Sequence, residues 1–232
     1  MIREIKSGKE SRVYLVQRRR GKASIYLAAK VHIPRDRRSF RRGSIYRTGW
    51  FIKERTSRKA VEKMTRYGRK FVESRWVDQE FHTLKRLWRK GAHVPTPILQ
   101  HGNAILMTYI GEPDRPAPKL CEANLEGGSL EDAFEQVLHN LDIFIREDIV
   151  HGDLSPYNLL YWEEKVWIID LPQAVDLHSN PHSMDLLYRD LSNVCRFFKR
   201  GGLFCAADDL FKRYIGVPYV PGRTYQELLM LQ

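Results

Sequence analysis

The segment that most constrains the fold of this chain runs from position 149 to position 170 and reads IVHGDLSPYNLLYWEEKVWIID. It begins with a short polar loop that carries Asp153 and Asn158. Two apolar stretches follow, and they predict a hairpin of Leu159 to Tyr161 with Val166 to Ile169, because strand-forming residues flank a charged turn. The hairpin ends on Asp170. We therefore expect a fold in which the polar loop faces the end of the hairpin.

The side chains in this segment are those that phosphoryl transfer requires. The reaction needs a carboxylate beside the attacking hydroxyl, and hard oxygen ligands for a Mg²⁺ ion that bridges the phosphates. Asp153 supplies a carboxylate for the first task, and Asn158 and Asp170 supply oxygens for the second. Each residue alone has an ordinary alternative, since aspartates are common in turns. The complete pattern H-x-D-L-x-P-x-N, followed by a hairpin that closes on Ile-Ile-Asp, favours the catalytic interpretation.

These motifs resemble those of one kinase family. HGDLSPYN is similar to the catalytic loop of the protein-kinase superfamily, whose signature is H-R-D-L-x-x-x-N. IIDLPQAV has Leu171 and Pro172 after Asp170 where ordinary kinases have D-F-G, and it resembles the metal-binding segment of the RIO family. The run SGKESRVYLV resembles the RIO phosphate loop, in which glycine is scarce. GEPDRPAPKL and a long basic insertion resemble the first RIO subfamily, which has no winged-helix domain, while DLPQ is similar to the second.

The resemblance extends from about residue 5 to residue 215 and implies a protein-kinase-like two-lobed α+β fold. A strand-rich N-lobe would cover residues 1–111, and a helical C-lobe, reduced and without a peptide-binding region, would cover residues 112–232. Apolar periodicity agrees with strands in the first half and helices in the second. The predicted elements are strands at Val13 to Val16, Ile25 to Val31, Ile98 to Gln100 and Ala104 to Ile110, a helix at Phe71 to Lys90, a linker at Gly111 to Pro118, and a helix with Ser129 as N-cap.

The same resemblance assigns roles to individual residues. Asp153, Asn158 and Asp170 would be catalytic, and Asn158 and Asp170 would hold Mg²⁺, with Mn²⁺ as the alternative ion. Lys30 would bind the phosphates of ATP and pair with Glu80. The other expected nucleotide contacts, in the phosphate loop and the hinge, are Ser7, Gly8, Lys9, Val13, Met107, Tyr109 and Ile110.

Three of these assignments have plain structural alternatives. Lys30 lies at the end of the apolar strand IYLAAKVH, and without the other motifs a lysine that reaches solvent would be the favoured interpretation. Glu80 shares a helical face with apolar residues, where a carboxylate is unfavourable unless it is paired, or it lies at the rim of that face. Asp190 would hold the backbone of the catalytic loop by analogy with kinases, or lie on a helix surface.

The net charge of +11 comes from one segment. Residues 34–75 contain 15 Lys/Arg against four Asp/Glu, so the rest of the chain carries equal numbers of each sign. Cations with interleaved aromatic residues suit a nucleic-acid backbone, although a solvated, partly irregular insertion is the alternative. RIO relatives act in maturation of the small ribosomal subunit, so the implied partner is ribosomal RNA or the pre-ribosomal small subunit. Candidate autophosphorylation sites in this insertion are Ser39, Ser44 and Thr48.

Hydropathy and cysteine content indicate the compartment. No apolar run approaches the ~20 residues that span a bilayer, and the N-terminus is charged, so we expect a soluble, cytoplasmic protein with no membrane partner. Cys121, Cys195 and Cys205 are odd in number and far apart. They fit neither a disulfide framework nor a zinc spacing, and we interpret all three as packing residues in a reducing interior.

The sequence therefore predicts a RIO-type serine/threonine phosphotransferase that uses ATP, with autophosphorylation, ATPase activity or both. The resemblance adds an aspartyl phosphate as intermediate, with Asp170 as its candidate acceptor. One alternative is a small-molecule phosphotransferase of the aminoglycoside or choline kinase type, since HGDL occurs there too. Another is a non-catalytic RNA-binding scaffold on a kinase frame. The oligomeric state is left open.

Overall fold

The computed structural model describes residues 3–8, 10–20, 23–33, 44–48, 54–63 and 65–230. Its N-terminal half is built on a five-stranded antiparallel sheet with the strand order β1-β2-β3-β5-β4. The strands are β1 (Arg3–Ser7), β2 (Ser11–Arg20), β3 (Ala23–His32), β4 (Pro97–His101) and β5 (Ala104–Thr108). The two predicted strand pairs are confirmed, while β1 was not predicted. Lys30 pairs with Val13 of β2 and with Ile105 of β5, so it lies on a central strand.

Between β3 and β4, the described residues form the helices α1 (Ser44–Arg47), α2 (Arg55–Glu62) and α3 (Arg66–Arg89). Helix α3 begins five residues before the predicted start at Phe71, because the Thr65 side chain accepts a hydrogen bond from Gly68 N and caps it. Gly68 is needed there, since a Cβ would lie 2.0 Å from the Ala60 carbonyl oxygen of α2. The described parts of the basic segment are thus largely helical, while Gly43 and Gly49, on which the expectation of a partly irregular insertion depends, lie outside the described residues.

The C-terminal half is mainly helical, as predicted. Gly111 begins a small hairpin where a linker was predicted. Helix α4 starts at Gly128 with Gly127 as N-cap, and the Ser129 hydroxyl instead donates to Glu126 O at 2.9 Å, so the prediction of Ser129 as N-cap is wrong. The elements are β6 (Gly111–Glu112), β7 (Arg115–Pro116), a 3-10 turn (Leu120–Glu122), α4 (Gly128–Arg146), β8 (Ile149–Val150), β9 (Leu159–Trp162), β10 (Lys165–Ile168), β11 (Val175–Asp176), α5 (Ser183–Arg200), α6 (Ala207–Ile215) and α7 (Tyr225–Leu229).

One apolar cluster holds the C-terminal half together and supports the polar loop. The hairpin β9–β10 forms with Leu159 opposite Ile168, and both side chains are buried. Leu154, inside the loop itself, is also fully buried. Because burying such a side chain stabilises by roughly 1.5–3 kcal/mol, the loop is anchored to the core on the side away from its polar residues. The cluster continues through Phe144, Met184, Leu191, Phe198 and Phe211.

A disulfide joins Cys195 of α5 to Cys205 in the segment before α6. Their Cα atoms are 5.1 Å apart, within the range that a disulfide spans. The interpretation of these two cysteines as packing residues is therefore wrong, whereas Cys121 is a half-buried free cysteine. Spacing along the chain did not reveal the pair, because the turn after α5 brings the two together. Among the described residues, no helix is both long and apolar enough to cross a membrane.

Candidate active site

A cleft of about 370 Å³ opens between the sheet and the C-terminal half. Both halves contribute residues to its walls. These residues are apolar at one end of the cleft and charged at the other end. The residues that line it from the sheet include Val13, Ala28, Lys30, Met107, Tyr109 and Ile110, and those from the C-terminal half include Ala117, Tyr157, Leu160, Ile169 and Asp170. Every predicted hinge residue therefore lies at this cleft.

Lys30 lies at the charged end and contacts two carboxylates. Its Nζ atom is 2.5 Å from Oε1 of Glu80 and 2.6 Å from Oδ1 of Asp170. Lys30 projects from the central strand β3, and Glu80 projects from the buried face of α3. The side chains of Lys30 and Glu80 are only 6% and 5% exposed, so both plain alternatives, a lysine in solvent and a glutamate at the rim, are excluded.

The three charges determine one another's ionisation. Burial alone would lower the pKa of Lys30, but the charges of Asp170 and Glu80 outweigh it and raise that pKa above its usual value. The Lys30 charge lowers the pKa of Asp170 to about 2, against the effect of burial. Burial opposes ionisation of Glu80 too, yet Lys30 and His32 together lower its pKa. All three groups are consequently ionised at neutral pH.

The polar loop is tied to the end of the hairpin by its own hydrogen bonds. The amide Nδ2 of Asn158 donates to Asp153 O at 2.8 Å and lies 3.4 Å from Asp153 Oδ2. Ile169 N donates to Asn158 O at 3.0 Å, which brings the loop beside Asp170. Since its nitrogen is committed to Asp153, the oxygen of the Asn158 amide is the atom that can bind a metal. Asp153 stays exposed at the loop, and partial burial raises its pKa.

The buried side chain of Asp190 fixes the backbone of the polar loop. Its carboxylate, 1% exposed, accepts hydrogen bonds from Gly152 N at 2.7 Å and Leu154 N at 2.8 Å. It therefore lies inside the protein and not on a helix surface, and burial raises the pKa of Asp190 to about 7. Gly152 has φ +77°, and a Cβ there would lie 2.5 Å from Gln173 O, so only glycine fits.

Several groups that contact the site were not predicted from sequence. Arg189 donates to Gly152 O and, at 3.2 Å, to the hydroxyl of Tyr46 in α1. His151, first residue of the loop motif, is buried beside Ile169 O at 3.1 Å, and burial lowers the pKa of His151 to about 4. His32 Nε2 lies 2.9 Å from Glu80 Oε2. A signal for His32 exists in the sequence, because residues two apart on a strand share a face and His32 follows Lys30 by two.

The predicted phosphate loop is a tight turn between β1 and β2. Gly8 N donates to Ser11 O at 2.9 Å. Lys6, Ser11 and Val13 line the cleft, while Ser7 and Gly8, of the described residues, belong to the turn and do not line this cavity. Lys9 lies outside the described residues.

The donor set suits a hard cation that also binds phosphate oxygens. In the part of the chain that the structure describes, no three or more His, Cys, Asp or Glu side chains form a metal-binding cluster. The predicted ligands are one carboxylate, Asp170, and one amide oxygen, that of Asn158, and Ile169 N joins the two segments that carry them. Mg²⁺ prefers six oxygen ligands and often takes only one or two from the protein, the others coming from water and phosphate. The residues therefore fit a Mg²⁺ ion that is bound together with a nucleotide.

Sequence comparisons relate this chain to one family of kinases. A sequence model of the RIO domain matches residues 12–210. The serine/threonine-protein kinase RIO3 of Bos taurus is 40% identical over 129 residues, which are 55% of this chain and 25% of that protein. The RIO-type kinase Rio1 of Haloferax volcanii is 38% identical over 141 residues, 61% of this chain and 48% of that protein. The kinase rio1 of Schizosaccharomyces pombe is 32% identical over 217 residues, 90% of this chain and 40% of that protein.

Solved structures show the same fold. The Rio2 kinase of Chaetomium thermophilum, in a complex with ADP, Mg²⁺ and phosphoaspartate, superimposes with a TM-score of 0.62 at 19% sequence identity, covering 99% of this chain and 65% of that one. A second structure of that kinase gives a TM-score of 0.63. The protein-kinase-like, two-lobed α+β fold is thus confirmed. The chain spans between a quarter and a half of the length of the curated relatives named above.

Proposed function

Because this chain belongs to the RIO domain family, we propose that it is an ATP-dependent phosphotransferase that acts as a serine/threonine kinase, an ATPase or both. The observation that carries this proposal is the position of Lys30, which is 2.5 Å from Glu80 and 2.6 Å from Asp170 across the cleft. An ammonium between two carboxylates, next to a loop with a further carboxylate and an amide, is the constellation that phosphoryl transfer uses. The division into an N-lobe of residues 1–111 and a C-lobe of residues 112–232 is also part of the proposal.

Each polar group has a proposed task. Lys30 would bind phosphate oxygens of ATP, and its ion pair with Glu80 would orient the Lys30 ammonium toward them. Asn158 and Asp170 would hold Mg²⁺, or Mn²⁺ in its place, which when bound neutralises charge on the phosphates. Asp153 would orient the attacking hydroxyl and accept its proton, and its raised pKa favours that acceptance. The apolar end of the cleft, with Val13, Ala28 and Met107, would hold the adenine.

Asp170 is also the proposed acceptor of an aspartyl phosphate. Its pKa of about 2 keeps the carboxylate ionised, as a nucleophile must be. One carboxylate oxygen would form a bond to the γ-phosphorus as the bond from that phosphorus to the leaving oxygen of ADP breaks. Water would then attack the same phosphorus as the bond from that phosphorus to the Asp170 oxygen breaks, which would release inorganic phosphate and a proton and restore the Asp170 carboxylate. The Chaetomium thermophilum Rio2 complex, which contains phosphoaspartate, supports this extension.

The experiment that tests the proposal is Mg²⁺-dependent turnover of ATP by the purified chain. The wild-type protein is expected to release ADP and phosphate, and a variant with both Asp153→Ala and Asp170→Ala is expected to be inactive. Full turnover by that double variant would refute the assignment. A screen with labelled ATP and small metabolites separates a protein or ATPase role from the small-molecule alternative, and an absence of stabilisation by Mg·ATP would favour the scaffold.

We further propose ribosomal RNA or the pre-ribosomal small subunit as a partner of the basic segment 34–75. Of its described residues, α2 and the start of α3 expose several cations, and Tyr67 in α3 is 57% exposed. Exposed cations neutralise phosphates and an exposed ring stacks on bases. The exposed cations include Arg55, Lys59, Lys63, Arg66 and Lys70. Arg37, Arg38, Arg41 and Arg42 lie outside the described residues, as does Ser39 of the candidate autophosphorylation sites.

Two further points stay predictions. Ser44 begins α1 and Thr48 directly follows its end, so both candidate autophosphorylation sites flank a short helix whose Tyr46 accepts a hydrogen bond from Arg189, the residue that also donates to Gly152 O of the catalytic loop. The second prediction is that the protein is located in the cytoplasm.

A further inference from the structure

His32 lies next to the ion pair of Lys30 and Glu80 but outside the set of residues assigned above. It follows Lys30 by two positions on β3 and therefore projects from the same face of the sheet. Its Nε2 atom is 2.9 Å from Glu80 Oε2, while Lys30 Nζ is 2.5 Å from the other oxygen, Oε1. The Glu80 carboxylate is thus held at both oxygens by different residues.

The contact between His32 and Glu80 lies inside the protein. The 2.9 Å contact joins two buried atoms, and within the described parts of the chain neither Nε2 of His32 nor Oε2 of Glu80 makes a hydrogen bond, so this ion contact is the polar contact that each of them has. A buried carboxylate oxygen without a donor loses the hydration it had in the unfolded chain and gains nothing in return. Glu80 therefore depends on His32 for the satisfaction of this oxygen.

The backbone of His32 is fixed independently of its side chain. His32 N donates to Asn103 O at 2.8 Å, and Asn103 Nδ2 donates to His32 O at 2.7 Å. In the sheet, His32 pairs with Ser11, the first residue of β2 after the phosphate loop. The imidazole is thus presented to Glu80 by a rigid part of the sheet, and substitution of the side chain leaves these backbone bonds in place.

We propose that His32 is a positioning residue for the nucleotide site. By holding Oε2, it fixes the rotation of the Glu80 carboxylate so that Oε1 faces Lys30. Without it, both oxygens of Glu80 compete for the Lys30 ammonium and draw it away from Asp170 and from the phosphates. This inference rests on the proposed function, because its effect is expressed in nucleotide binding.

The test uses two substitutions of different chemistry. His32→Phe keeps a ring of similar volume but removes the donor, whereas His32→Gln keeps a side-chain N–H. We expect His32→Phe to raise the Kd for Mg·ADP and the KM for ATP about threefold to tenfold, the order of the net contribution of one typical polar contact. The kcat is expected to change less than about twofold, and His32→Gln to restore most of the affinity. If the Phe variant does not fold, His32→Leu carries the same prediction.

The controls separate positioning from a general loss of structure. His93→Phe removes another partly buried imidazole away from the cleft and is expected to leave Kd and KM unchanged. In a Glu80→Ala background, His32→Phe is expected to have no further effect on Kd, because the group it positions is absent. Wild-type affinity in folded His32→Phe, or a full effect in the Glu80→Ala background, would overturn the inference alone. Failure of the wild-type protein to bind Mg·ADP would overturn the proposed function and this inference with it.

Discussion

Lys30 and Asp170, separated by 140 positions in the chain, form an ion pair of 2.6 Å across the cleft. One residue comes from the central strand of the sheet and the other from the end of a C-terminal hairpin. The contact places the two halves of the molecule in one relative position at the point where phosphate would bind. The first predictions concern the residues of this contact and its neighbours.

Lys30→Met is expected to remove the phosphate-binding ammonium and leave Glu80 and Asp170 facing each other as unpaired carboxylates. We expect kcat/KM for ATP to fall about 100-fold or more, the range seen when one preorganised electrostatic group is removed. Steady-state turnover measures this, and calorimetry with Mg·ADP shows how much of the loss is binding. Lys85→Met, a lysine of α3 outside the cleft, is the control. Equal activity in both variants would contradict the assignment of Lys30.

Asp153 and Asp170 are expected to differ in what their removal affects. Asp153→Ala is expected to lower kcat about 100-fold or more, as for loss of a general base, while the affinity for Mg·ADP largely persists. Asp170→Ala is expected to lower the affinity as well, because it removes a ligand of the ion. Titration of ADP with and without Mg²⁺ distinguishes the two. A loss of Mg²⁺-dependent affinity in Asp153→Ala alone would reverse the assigned roles.

His151 is expected to make stability depend on pH. Because burial lowers the pKa of His151 to about 4, the unfolded chain, with an imidazole pKa near 6.5, binds more protons between these values. The contribution is fully present above about pH 6.5 and is lost as the pH falls toward about 4, up to about 3 kcal/mol. His151→Gln is expected to reduce the difference in Tm between pH 7 and pH 4.5, measured by calorimetry.

Asp190 is expected to give stability the opposite dependence on pH. Burial raises the pKa of Asp190 to about 7, so the folded state holds an extra proton and stability decreases as the pH rises through that value. Asp190→Asn is expected to enlarge the difference in Tm between pH 4.5 and pH 7 that His151→Gln reduces. The same change in both variants would show that neither group titrates as its surroundings imply.

The disulfide between Cys195 and Cys205 is expected to stabilise the C-terminal helices. A crosslink that closes a loop with a sequence separation of 10 contributes about 3 kcal/mol through the unfolded chain. Reduction, or Cys195→Ser with Cys205→Ser, is expected to lower the free energy of unfolding by that order. Thiol titration of the denatured protein should detect one free thiol, that of Cys121, before reduction and three after it. Three thiols in protein purified without reductant would exclude the crosslink.

RNA binding by the basic segment is expected to depend on salt. Replacement of Arg37, Arg38, Arg41 and Arg42 by Ala should weaken binding to small-subunit RNA and reduce the slope of log Kobs against log salt by about 0.7 for each lost contact with a single strand. A matched variant that neutralises four cations of α5 and α6 (Arg196, Lys199, Arg200 and Lys212) should bind as the wild-type protein does. Equal loss in both variants would indicate a response to net charge alone.

Sequence reasoning was most successful where local pattern and chemistry coincide. The hairpin that ends on Asp170 follows from two apolar stretches around a charged turn. A carboxylate on an apolar helix face indicates that Glu80 needs a partner, and the resemblance to kinases identified Lys30 as that partner. The N-terminus of α4 was misassigned because Ser129 can cap locally or bond to Glu126, and only the backbone of Gly127 decides between them. Arg189 and Tyr46 were missed because their contact joins segments distant in sequence, and periodicity carries no information about such pairs.

Gly152 separates this protein from the kinases whose motif reads H-R-D-L, where an arginine occupies the corresponding position. Here the backbone turns with φ +77° and Gln173 O fills the space of a Cβ, while a guanidinium reaches the Gly152 carbonyl from Arg189 of α5. A single arginine codon at position 152 would therefore distort the loop and bring a second cation to a place already occupied. Any side chain at position 152 would thus require the backbone of the loop and that of Gln173 to move apart, so the residue type in the loop and the course of the neighbouring segment are constrained together.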